Sequence, residues 1–141
     1  MRGGFNGFSG ATVPVLKLGN VLLVTLQGDL HDSAAEQLQQ DIGQAIVDSS
    51  VDGVVIDISG VEMVDSFLGR VFAEIASTAR LLAAETVVAG MQPAVAITLV
   101  ELGLTLPGLR TALDTEQAVR LLTPAPDLRP HGPAAARRES P

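Results

Sequence analysis

Cysteine, tryptophan and tyrosine are all absent from the 141 residues. Without thiols there can be no disulfide, thiolate metal site or cysteine nucleophile, which fits a reducing compartment. Aromatic residues make up only 3% of a chain that is 47% hydrophobic, so aliphatic side chains must fill the core. That hydrophobic share excludes a wholly disordered chain, and the length suits one domain with a real core. Cations are scarce too. Lys17 is the only lysine, and nine Lys and Arg face 16 Asp and Glu, for a formal net charge of -7. A nucleic-acid binder needs a clustered basic surface, so the charge argues against that class, while a basic partner or simple solubility is favoured. The N-terminus carries a single Arg and no apolar core of signal-peptide length. The longest charge-free stretch, Thr86 to Val100, is too short to span a bilayer and is interrupted by Gly90 and Pro93. The expected location is therefore the cytoplasm.

Residues 1–12 are Gly-rich and patternless, as expected of a flexible arm. Val13 to Leu18 and Val21 to Leu26 are β-type runs split by Gly19-Asn20, which predicts an antiparallel hairpin of the II′ kind. Ser33-Ala34-Ala35-Glu36 matches a capping box, followed by Ala35, Leu38, Ile42, Ala45 and Ile46 at helical spacing. Gly53 to Ile58 does not alternate with polar residues and predicts a strand buried on both faces. A helix is expected beyond Ser66, its stripe formed by Leu68, Val71, Phe72, Ile75, Ala79 and Leu82. Glu85 to Met91 predicts another buried strand. Gln92-Pro93 opens a third helix, in which Val95, Leu99 and Leu102 could pack and Gly103 is the C-cap. Leu109 to Leu113 predicts a short edge strand, and Asp114 to Gln117 a box-like cap for a last helix ended by Pro124. Residues 123–141, rich in Pro, Ala and Arg, predict a disordered tail. The expected architecture is a single α/β domain over residues 13–122. It has a mixed β-sheet entered by an antiparallel hairpin, about four helices, and one hydrophobic sheet face backed by those helices.

Catalytic machinery is sparse. The two histidines are His31, in a connector, and His131, in the tail. A serine hydrolase needs a base within hydrogen-bond reach of its nucleophile; His31 could approach Ser66, but there is no Gly-x-Ser-x-Gly elbow. No phosphate-binding loop or dinucleotide fingerprint is present. A metal would have to be held by carboxylates such as Asp29, Asp32, Asp57 and Asp65, whose spacing is uninformative. No cofactor or metal is expected, and the chain reads as non-catalytic.

The stretch Ile56 to Arg70 stands apart. It leaves a buried strand, turns at Gly60 and restarts as a helix at Asp65-Ser66. A hydroxyl there sits where backbone N–H groups favour negative charge, although Asp or Ser at such a position can equally be a plain N-cap.

Three segments carry a family pattern: Val54 to Ser66, Val88 to Ala96, and Leu99-Val100-Glu101-Leu102-Gly103. Together they resemble the STAS domain, and Asp65-Ser66-Phe67 with Gln92 to Ala96 is most similar to the RsbS-like anti-sigma factor antagonists of the stressosome. The resemblance runs from about Val13 to Leu122. It implies a phosphorylation-controlled scaffold in which Ser66 is the acceptor for an RsbT-like serine kinase. It also implies co-assembly with RsbR-like STAS paralogues into a shell that holds the kinase, release of the kinase on phosphorylation, and resetting by an RsbX-like phosphatase. RsbR-type relatives carry a sensory domain ahead of the STAS unit; with only a short arm before Val13, none is expected here. Asp65, Phe67, Glu62 and Met63 are the expected partner contacts, and Thr98 is a second candidate phosphosite beside its plainer role in helix packing. Ala89 departs from the family, where a Thr is expected, and the tail looks like an addition. Two alternatives stay open: a SpoIIAA-like antagonist that binds an anti-sigma kinase directly, and a ligand-binding STAS module.

Overall fold

The computed structural model describes residues 13–28, 30–104, 106 and 108–123. The expected arm, most of the tail, Asp29 and His131 lie outside them. The described chain runs β1 (Val15–Leu18), β2 (Val21–Thr25), α1 (Asp32–Ser49), β3 (Gly53–Asp57), α2 (Ser66–Leu81), β4 (Glu85–Ala89), α3 (Pro93–Glu101), β5 (Leu109–Ala112) and α4 (Thr115–Leu122). The five strands lie side by side in chain order. β1 pairs antiparallel with β2, turning at Gly19 with φ of 59°; the other three pairings are parallel. This is the predicted mixed sheet with its antiparallel entry.

The topology explains where the helices sit. Each parallel crossover steps to the next strand in the same direction, and crossovers have a fixed right hand. The three intervening helices therefore fall on one face. There Leu38, Ile42, Phe72, Ile75, Val95 and Leu99 pack on Leu22, Val24, Val54, Ile56 and Val88. α4 follows the last strand and is under no such constraint. It covers the other face, where Ala118 and Leu122 meet Val21, Val55, Val87 and Ala89. The expectation of a single helix-backed face is thus corrected: the central strands β3 and β4 are buried on both sides. Gly53 records how close α4 comes, since a Cβ there would stand 2.7 Å from the Leu122 methyl carbons.

Other differences are local. The predicted box at Ser33 and Glu36 does not form. The first turn closes two residues earlier, with Ala35 N–H donating to the His31 carbonyl, and the extended N-cap His31 makes no side-chain cap bond. Asp32, now in the first turn, suits the positive helix end. β4 stops at Ala89 because Gly90 turns to φ of 78° and sends its N–H to Ala112. Leu102, expected to pack, is 45% exposed. No helix among the described residues is long and apolar enough to cross a membrane.

Candidate functional site

β3 runs through the middle of the sheet with Val54, Val55 and Ile56 fully buried, and delivers its C-terminal end to a tightly tied turn. The Asp57 carboxylate accepts from Ser59 N–H at 2.9 Å, and Val61 N–H returns to the Ile58 carbonyl at 2.9 Å. The first closes an Asx turn and the second a β-turn, which is how Asp and Gly direct a chain out of a strand. Gln92, the residue before α3, donates its amide to the Ser59 carbonyl at 2.9 Å. Gly90 lies against the same turn, where a Cβ would come 3.0 Å from that of Ser59. Val61, 1% exposed, then anchors the chain in the core.

From that anchor Glu62, Met63, Val64 and Asp65 lead to α2. Glu62 and Met63 are exposed, Met63 by 85%. Asp65 is the N-cap: its backbone is extended, with φ of -124°, and its carboxylate accepts from Leu68 N–H at 2.9 Å. Ser66 is the first residue of the helix and is exposed. Because Asp65 supplies the cap, the Ser66 hydroxyl is not consumed by one. Phe67, expected to meet a partner, is half-buried and packs against the core, so only part of its ring is available; Leu68 is buried.

A cleft of about 530 Å³ opens beside this segment, between the β2–α1 and β3–α2 connections. Half-buried Leu30, Val64 and Phe67 line it together with exposed His31, Glu62 and Met63. Ser66 is not among its lining residues. Asp57, Glu62 and Asp65 make the local charge negative. Among the described residues no cluster of three His, Cys, Asp or Glu is arranged to hold a metal ion. Thr98 is half-buried and donates its hydroxyl to the Ala94 carbonyl one turn back, at 2.9 Å. Ala89 is fully buried on the α4 face.

Residues 12–118 match the STAS domain. The chain belongs to that family. Among curated STAS relatives, it is 28% identical to the RsbT co-antagonist protein RsbRA of Bacillus subtilis (strain 168), over 75% of this chain and 42% of that protein. It is 26% identical to RsbRB of the same organism, over 75% of this chain and 39% of that protein. The chain thus spans about two fifths of the length of these relatives. Among solved STAS structures, a serine-to-glutamate variant of RsbS from Moorella thermoacetica is 39% identical, with TM-score 0.67, covering 78% of this chain and 93% of that one. A chain from a structure of the stressosome, described as a signal integration and transduction hub, is 41% identical with TM-score 0.68, covering 77% and 95%. The unphosphorylated anti-sigma factor antagonist SpoIIAA, at 20% identity and TM-score 0.61 over 78% and 96%, shares the fold.

Proposed function

We propose that this STAS domain is a non-catalytic scaffold that docks an RsbT-like serine kinase beside Ser66, within an assembly with RsbR-like paralogues, and releases it when Ser66 is phosphorylated. The observation that carries this reading is the exposed Ser66 hydroxyl at the first position of α2, with the capping role already filled by Asp65. In the transfer, the bond between the γ-phosphorus of ATP and ADP breaks, the Ser66 Oγ–phosphorus bond forms, and the hydroxyl proton leaves to the kinase's base.

Release follows from the surroundings. The adjoining cleft and Met63 offer apolar area for docking, while Asp57, Glu62 and Asp65 already supply negative charge. Phosphorylation adds about 1.5 to 2 further negative charges at pH 7, which a docked partner would have to desolvate beside like charges. Like-charge juxtaposition costs several kcal/mol, and each ~1.4 kcal/mol is tenfold in affinity. Removing the phosphoryl group, the task of an RsbX-like phosphatase, restores docking. Thr98 has the weaker claim to modification, since its hydroxyl is engaged with Ala94.

Incubation with an RsbT-like kinase and ATP, followed by peptide mass spectrometry, tests the acceptor. Label at Ser66 supports it, and label elsewhere with Ser66 bare ends it. Sizing the protein with its partners separates shell assembly, a very large particle, from SpoIIAA-like one-to-one binding.

A further inference from the structure

Arg70 lies four residues beyond Ser66 on α2, and both are exposed. Residues so spaced are helix-surface neighbours, with Cβ atoms about 5–6 Å apart. The ordinary partner for Arg70 on this helix would be Glu74, a further four residues on. Glu74 instead turns to α1, where its carboxylate accepts from the Gln39 amide at 3.0 Å. The ion pairs among the described residues are Arg110 with Glu85 and Arg120 with Glu116; Arg70 is in neither. A cation one turn into a helix also meets the positive end of the dipole; the N-cap carboxylate of Asp65 is engaged with Leu68 N–H, and no acidic residue follows it in the first turn of α2. Unmodified α2 therefore presents an exposed guanidinium on the Ser66 side with no anion assigned to it.

Building on the reading of Ser66 as a phosphoacceptor, we infer that Arg70 is the positioning residue that receives the phosphoryl group once it is on Ser66. Two phosphate oxygens match the planar fork of a guanidinium, a charge-assisted pairing that a lysine makes only as a point charge. The pair holds the phosphate along the outer face of α2. It also withdraws the one cation of this helix end from any docked partner, so modification adds an anion and removes a cation contact in one event.

The test does not depend on the kinase. Phosphoserine is incorporated at position 66 during translation, and the phosphorus NMR signal of the folded protein is titrated in wild type, Arg70→Gln and Arg70→Lys. A free phosphoserine has its second pKa near about 6. A neighbouring guanidinium favours the dianion, so the wild-type midpoint should lie below that of Arg70→Gln by roughly 0.5 unit at this exposed site, with Arg70→Lys between them. Raising the salt concentration should narrow the gap. A helix role alone would move thermal stability but not the phosphorus midpoint. Identical midpoints in wild type and Arg70→Gln overturn the assignment while leaving Ser66 as acceptor. A kinase that never labels Ser66 would instead remove the earlier reading and leave the pairing intact.

Discussion

α2 and α4 begin with the same device and finish it differently. Each is preceded by an extended Asp whose carboxylate accepts a backbone N–H three residues on, Asp65 from Leu68 at 2.9 Å and Asp114 from Gln117 at 2.7 Å. Each then places a hydroxyl first in the helix, Ser66 or Thr115. At α4 the third position is Gln117, whose side chain reaches back past the cap to accept from Leu113 N–H at 2.7 Å, a box-like return bond. At α2 that position is Leu68, which is buried and has nothing to return. At α4 the first turn contains Glu116, and Arg120 answers it at 3.7 Å. At α2 there is no first-turn acid, and Arg70 has no such answer. One helix start is chemically complete; the other has room for an anion, with a cation already waiting.

The largest expected effect of this contrast is on labelling. Ser66→Ala should abolish phosphorylation by the kinase, whereas Thr115→Ala should leave it unchanged in a radiolabel assay. Equal labelling of both variants would erase the distinction between the two helices. Next comes capture: Ser66→Asp should weaken kinase binding by about tenfold or more in a titration, Ser66→Ala should retain it, and Thr115→Asp should match wild type. Equal affinity for Ser66→Asp and Ser66→Ala would contradict electrostatic release. Smaller again are the caps. Asp65→Ala should cost about 1 kcal/mol in urea unfolding, and Asp114→Ala somewhat less, because Gln117 still holds its own bond to Leu113. The reverse order would mean that the return bond from Gln117 matters less than its geometry suggests. Smallest is Glu116→Gln, which breaks an exposed pair and should shift stability by no more than about 0.5 kcal/mol.

How much of this the residues announced varied with how local the cause was. The run Val54-Val55-Ile56 has no polar alternation and reads as a strand buried on both sides. Asp65 and Asp114 cap through bonds three residues long, within reach of any sequence pattern. The Ser33 and Glu36 box was equally well formed as a pattern and failed, because the backbone entering from β2 made His31 the extended residue and started the helix sooner. The face taken by α4 was not legible, since no crossover fixes it. The hydrogen bond from Gln92 to Ser59 spans 33 residues, and the one from Gln39 to Glu74 spans 35. Both exist only after the sheet and helices have assembled, and the isolation of Arg70 from Glu74 depends on the second of them.

The turn from Asp57 to Val61 is fastened at several points: by its own carboxylate, by the Gln92 amide and by a buried valine. Under the proposed function, a receiver fastened this way would report without swinging that turn. Its response time would then be inherited from the enzymes that write and erase the mark, and a weakened fastening would cost crispness of signal before it cost the fold.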